Sequence, residues 1–211
     1  MNTKQKVIAI DGPSASGKGT VASRVAQALG FDYLDSGALY RLTALYAKKR
    51  DVEWSDEDAV AELAENLPAR FEGSQVFLDD EDVSGQIRSE AIGMGASAVA
   101  QLPKVRAALL QRQRDFLTEK GLVADGRDMG SVVFPDAALK VFLTAGAKIR
   151  AERRAKQIGV PLDGAAFAQI LADIQARDAA DRLATVQICY PSTRVADLLD
   201  TSPHTAGKEQ S

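Results

Sequence analysis

Nine residues near the start of the chain, Gly12-Pro13-Ser14-Ala15-Ser16-Gly17-Lys18-Gly19-Thr20, have the types and spacing to hold a chain of phosphates. Gly12, Gly17 and Lys18 complete the pattern G-x-x-x-x-G-K; Gly19 follows, and the hydroxyl comes one place later at Thr20. Glycines let the backbone turn until successive N–H groups point into one hollow. Where that hollow opens a helix, unpaired N–H groups and the helix dipole favour an anion. Lys18 adds a mobile point charge for the outer phosphates. The apolar run Val7-Ile8-Ala9-Ile10 precedes the motif and an amphipathic run over residues 21–29 follows it. That strand–loop–helix context separates a phosphate loop from a ligand-free glycine turn.

Further cationic groups fall at related places. Arg41 stands one helical turn beyond Gly37, just after a short strand, and is either a clamp for a second anionic substrate or an exposed helix arginine. Asp125-Gly126-Arg127-Asp128-Met129-Gly130 follows another strand. Arg127 can grip a phosphate through two parallel hydrogen bonds and Asp128 can accept from an amino group; the alternative is a structural ion pair between the two. Over residues 148–158, Lys148, Arg150, Arg153, Arg154 and Lys156 face a single acid, Glu152. Such a helix is either a lid that brings guanidinium groups over transferring phosphates or a solvated face. Arg177 and Asp181 are four apart on one helical face, the spacing of an intrahelical ion pair. His204, the only histidine, lies in a polar tail and is not expected to be catalytic.

The elements that must position these groups follow from periodicity. Strands are expected at residues 7–10, 31–34, 122–124 and 139–143, the last two buried, with a final strand at Leu198-Leu199. Helices are expected over 21–29, with Val21, Val25 and Ala28-Leu29 inward and Gly30 as C-cap, and from Ser36 with Leu39, Leu42 and Tyr46 on one stripe. Another starts at the Ser55-Asp56-Glu57-Asp58 cap and stops at Pro68. Three more cover 91–100, 103–121 and 165–182. Residues 69–71 and 75–78 read as an antiparallel hairpin around Gly73-Ser74, followed by an acidic turn at residues 79–82. Alternating strands and helices imply an α/β fold, a parallel sheet with helices on both faces.

Composition narrows the function classes. The 211 residues suffice for one α/β domain with small attachments. A net charge of −3 gives no general electrostatic case for nucleic acid or membrane surfaces. No apolar run approaches the ~20 residues of a membrane helix, and the first strand begins too early for a signal peptide. Cys189 is the only cysteine, which fits a reducing cytoplasm. Nothing demands an oligomer, so a monomer is expected.

Taken in order, these motifs resemble the bacterial cytidylate kinases. The Gly-Lys-Gly-Thr ending at residues 17–20 is similar to nucleoside monophosphate kinases rather than GTPases. The segments 34–41 (Leu-Asp-Ser-Gly-Ala-Leu-Tyr-Arg), 81–85 (Glu-Asp-Val-Ser-Gly), 124–136 and Arg177-Asp178 match as well, so the likeness spans about residues 5–182. It implies a P-loop NTPase fold with a five-stranded parallel sheet, a monophosphate-binding insert over about 36–104, which includes the hairpin, and a short lid over about 147–160. It implies transfer of a phosphoryl group from ATP to CMP or dCMP with Mg2+. By this resemblance residues 12–20 hold ATP, and Lys18, Arg127, Arg150, Arg153 and Arg154 serve the transfer. Arg41 and Arg127 grip the acceptor phosphate and Ser36 lines the nucleotide site. Ser97, Arg106 and Asp128 read cytosine, and Arg177 and Asp181 contact the sugar. No protein side chain is implied as a direct metal ligand. The chemistry agrees: phosphoryl transfer needs in-line positioning and cationic donors, and an anionic acceptor needs no strong base.

The chain departs from the family pattern at Ala184, where an arginine stands, and in the run Thr185-Val186-Gln187-Ile188-Cys189-Tyr190-Pro191 that follows. Losing a charge-assisted hydrogen bond costs ~1.5–3 kcal/mol, so weakened CMP selectivity or turnover is expected. The competing functions are a kinase of another nucleoside monophosphate or small acceptor such as shikimate or gluconate, a GTPase-type switch, and a relative of impaired activity. The switch lacks the Asn-Lys-x-Asp signature that reads guanine, since Asn2 and Asn66 are the only asparagines.

Overall fold

The computed structural model describes residues 5–72 and 75–184. Its centre is a parallel sheet whose strand order explains where the chemistry gathers. β1 (Gln5–Asp11) lies between β6 (Leu122–Gly126) and β7 (Ala137–Phe142), and β2 (Asp32–Asp35) pairs with the far side of β6. All pairings are parallel, so the loops after β1, β2 and β6 leave the same edge. Side chains alternate along these strands. Val7, Ala9, Leu122 and Ala124 face the larger core, while Ile10 and Val123 face a smaller one under α1 (Lys18–Leu29).

Four strands of this sheet lie among the described residues; the fifth, expected at Leu198-Leu199, lies outside them. β7 is correspondingly half-buried and not the fully buried strand expected, because among the described residues only β1 borders it. β6 is buried along its whole length.

α1 also corrects its sequence reading. Ala22 and Ala26 are its buried residues, with Val25 beside them, while Val21 and Leu29 face solvent. Methyl side chains let the helix lie close on Ile10 and Val123, and the bulkier residues turn outward. Gly30 ends α1 with φ 66, as expected. Phe31 completes that cap by donating to the Ala26 carbonyl, which delays β2 by one residue.

α2 (Ser36–Lys49) is capped by Asp35 and buries Leu39, Leu42 and Tyr46; α3 (Glu57–Glu65) is capped by Asp56. β3 (Ala69–Glu72), β4 (Gln75–Leu78) and β5 (Glu81–Asp82) form a small antiparallel sheet. Only Asp79 and Asp80 make the acidic turn, both at positive φ, and the next two acids pair as a third strand. The expected turn at Gly73-Ser74 lies outside the described residues.

α4 (Glu90–Val99) packs on α2, and α5 (Pro103–Arg114) on α3. α5 stops short of Gly121, and Phe116 packs edge-on against Phe71. A five-residue π-helical turn, Met129–Val133, follows β6. α6 (Ala147–Ile158) and α7 (Gly164–Ala184) pack together. No described helix is long and apolar enough to cross a membrane.

Candidate active site

The loop after β1 closes tightly on the sheet edge. Gly12 has φ 155, and a Cβ there would stand 2.0 Å from the Leu143 carbonyl oxygen. Gly17 caps α1 at φ 93, again a conformation that favours glycine. Between them Ala15 holds φ 58, a left-handed conformation that a non-glycine residue adopts at some cost. The buried Ser16 hydroxyl has no hydrogen-bond partner.

Arginines from two distant segments converge on residues 14–16. Arg127, after β6, donates to Ser14 Oγ at 2.7 Å. Arg150, only 3% exposed, donates to the Ser14 carbonyl at 3.3 Å and to the Ala145 carbonyl at 2.8 Å. Arg153 donates to the Ser16 carbonyl at 2.7 Å. The basic helix therefore does not present all its charges to water: two of its arginines lie on the phosphate loop. Arg154 turns elsewhere, to Glu90 at the start of α4 and to Gln157.

Arg150 is fixed by a residue to which the sequence assigned no role. Asp178 on α7 takes both of its terminal nitrogens in a bidentate pair. Such a planar, charge-assisted pair sets orientation as well as strength. Arg177 and Asp181 lie on the same helix, and their side chains, with that of Ala184, fall outside the described residues.

Asp125 lies at the other side of the loop, nearly fully buried. Its Oδ1 is 3.6 Å from Lys18 Nζ and has no hydrogen-bond partner; its Oδ2 accepts from the Tyr33 hydroxyl at 3.4 Å. Burial pushes its carboxyl up to about 6, helped by the charge of Asp35, while Lys18 and the Tyr33 hydrogen bond pull it down. Tyr33 is in turn pushed well above its ordinary value, by burial first and then by Asp35 and Asp125. Gly19 leaves room here, since its Cβ would meet Asp125 Oδ2 at 3.1 Å.

The second lobe of the site collects polar groups from α2, α4, α5 and the turn after β6. Asp128 pairs with Arg106 of α5. Burial raises the Asp128 carboxyl, Arg106 lowers it and Asp11 raises it. Tyr40 is pushed up to about 12 by burial, with a further push from Asp128 and an opposing pull from Arg106. Arg41 donates to the Ile87 carbonyl at 2.8 Å, with its guanidinium against Gly93. Ser97 donates to the Gly93 carbonyl at 3.1 Å within α4. Ser36 is buried beside Gly126, whose Cβ would stand 2.6 Å from Ser36 Oγ.

Thus Arg127, Arg150 and Arg153 meet the phosphate loop and Arg106 meets Asp128, whereas Arg154 turns to Glu90 and Ser97 bonds within α4. Asp11, Tyr33, Tyr40, Asp125 and Asp178 join them without having been assigned a role. Asp125, Asp178 and Tyr40 stood inside or beside recognised motifs, which was the available signal; Asp11 and Tyr33 gave none beyond their places at strand ends.

The arrangement brings the phosphate loop, a lysine and several guanidinium groups beside a second cluster of polar side chains, which suits phosphoryl transfer between two bound molecules. Comparison with known proteins shows the family. The model of the family described as cytidylate kinase matches residues 8–208. A cytidylate kinase of Neisseria meningitidis serogroup C is 73% identical over 201 residues, covering 94% of this chain and 91% of that protein. The cytidylate kinase of Neisseria gonorrhoeae is 71% identical over the same length. That of Bordetella pertussis is 53% identical over 196 residues, covering 93% of this chain and 87% of the relative.

Proposed function

The chain belongs to the cytidylate kinase family, and we infer from this and from the site that it transfers the γ-phosphoryl group of ATP to CMP or dCMP, giving ADP and CDP or dCDP. The observation that carries the reading is the convergence of Arg127, Arg150 and Arg153 on residues 14–16, with Lys18 at the loop's end.

In this reading residues 12–20 cradle the ATP phosphates through their backbone N–H groups, and Lys18 neutralises the outer ones. Arg127, Arg150 and Arg153 stabilise the charge that spreads over the transferring group, and Arg154, held by Glu90 in the ligand-free protein, joins them only on release from that pair. The carbonyl partners of Arg150 and Arg153 hold these guanidinium groups close to the loop, so little reorganisation is needed when phosphate arrives. Arg41 and Arg127 hold the acceptor phosphate, and Ser36 lines its site. Ser97, Arg106 and Asp128 face the cytosine edge, Asp128 accepting from its amino group. Arg177 and Asp181 contact the sugar. The acceptor oxygen is already anionic, so its attack needs alignment more than deprotonation.

Mg2+ fits a donor that is present: the Asp125 carboxylate, whose buried Oδ1 has no hydrogen-bond partner and stands 3.6 Å from Lys18 Nζ, offers a hard oxygen that would hold the ion. When bound, that ion neutralises phosphate charge. The same reading makes residues 36–104 the monophosphate-binding insert and 147–160 the lid. It adds a fifth strand at Leu198-Leu199 and has the protein act as a monomer in the cytoplasm.

A coupled assay offering CMP, dCMP, UMP, AMP and shikimate with ATP tests the function. CMP and dCMP are turned over with the highest kcat/KM. Preference for shikimate or AMP, or no turnover of CMP, overturns it.

A further inference from the structure

Asp11 is the last residue of β1 and has no solvent exposure. A buried carboxylate is costly unless both oxygens find donors. Its Oδ1 accepts from the Met129 amide at 2.8 Å and its Oδ2 from the Gly130 amide at 2.9 Å. These two amides open the π-helical turn Met129–Val133, whose N-cap position is Asp128. An aspartate at an N-cap ordinarily turns its own carboxylate onto the amide two or three residues on, here Gly130 or Ser131. Here Asp128 makes no side-chain cap bond to the turn, and its carboxylate pairs with Arg106 instead. The capping is done from the neighbouring strand, by a residue 118 positions earlier in the chain.

The main chain of Asp11 is held as firmly as its side chain. Its carbonyl accepts from the Leu143 amide at 2.7 Å, and the next residue, Gly12, donates to the Gly126 carbonyl at 3.3 Å. One residue therefore joins the start of the phosphate loop to the turn that carries Arg127 and Asp128.

We propose that Asp11 is a positioning residue for acceptor recognition: by capping the 129–133 turn in place of Asp128, it frees the Asp128 carboxylate for the nucleobase and sets its register against the phosphate loop. The inference rests on the reading above that Asp128 faces cytosine. Without the Asp11 carboxylate, the Met129 and Gly130 amides lose their charged acceptor, and Asp128, at the N-cap of the same turn, is the carboxylate whose position in the chain suits it to cap that turn.

The test is a double-variant cycle on the ratio of kcat/KM for CMP to that for UMP. Asp11→Asn keeps the shape but turns a donor toward one of the two amides. It lowers the ratio roughly 10- to 100-fold, the effect of one charge-assisted hydrogen bond, with the KM for CMP rising more than the KM for ATP. Asp128→Asn lowers it similarly, and the double variant is no worse than the more affected single variant. A purely structural role for Asp11 lowers the active fraction and leaves the ratio alone. An unchanged ratio in Asp11→Asn beside a lowered one in Asp128→Asn overturns the inference alone, as do losses that simply multiply in the double variant. An unchanged ratio in Asp128→Asn overturns the reading of Asp128 and the inference with it. If Asp11→Asn does not fold, hydrogen exchange of the wild-type protein decides. CMP at ten times its Kd slows the Met129 and Gly130 amides about tenfold, because it binds only the capped turn. No slowing overturns the inference.

Discussion

Replacing Asp125 by asparagine should make the ligand-free protein more stable and the enzyme worse. The carboxyl is nearly fully buried, and its pKa rises from 3.8 to about 6, chiefly by burial. A group whose folded pKa is raised favours the folded state while protonated. That contribution is fully present below the unfolded value near 3.8 and is lost as pH climbs through about 6. At 1.36 kcal/mol per pKa unit, the penalty of carrying the charge at neutral pH is about 3 kcal/mol. Asparagine stands in for the neutral carboxyl at every pH, so the variant escapes that penalty. Urea unfolding of both proteins, ligand-free, from pH 4 to pH 7.5 measures it. The stability gap is small at pH 4 and widens to about 3 kcal/mol at pH 7.5, while other titrating groups cancel in the difference. Activity moves the other way, falling by at least about 10-fold, because the Lys18 ammonium loses its neighbouring charge and, on the proposed reading of the site, Mg2+ loses a donor. A gap that does not change with pH, or a variant less stable at pH 7.5, refutes the reasoning. Either result would mean that Asp125 is held as an ordinary carboxylate.

Three other outcomes follow from the same geometry. Lys18→Met abolishes transfer while circular dichroism shows the wild-type fold, with some stability lost at neutral pH because the buried Asp125 loses its cation; full activity would refute the role of the loop. Ala15→Gly relieves the left-handed residue at φ 58 and, after the added freedom of the unfolded chain, raises stability by up to about 1 kcal/mol in urea unfolding; a less stable variant would show that the alanine is not strained there. Asp178→Ala strips the buried Arg150 of its bidentate partner and costs about 3–5 kcal/mol of stability; a loss below 1 kcal/mol would show that the carbonyls of Ser14 and Ala145 suffice.

Much of this protein is written in local pattern. The phosphate loop is legible because Gly12 and Gly17 answer backbone demands at fixed places and Lys18 follows them in sequence. The α/β class is legible because strands and helices carry different periods, and the caps at Asp56 and Gly30 are spelled out within a few residues. Partnership at long range is not. No spacing links Arg150 to Asp178, Asp11 to Met129 and Gly130, or Tyr33 to Asp125, since these meet only after the sheet and its helices have packed. Nor could periodicity choose between Ala22 and Val21 as the inward residue of α1; the closeness of the helix to the sheet made that choice. Local chemistry sets what each residue is able to do, while packing sets the dielectric around it and the group it meets. A carboxylate such as Asp125 therefore acquires its unusual acidity only inside the folded molecule.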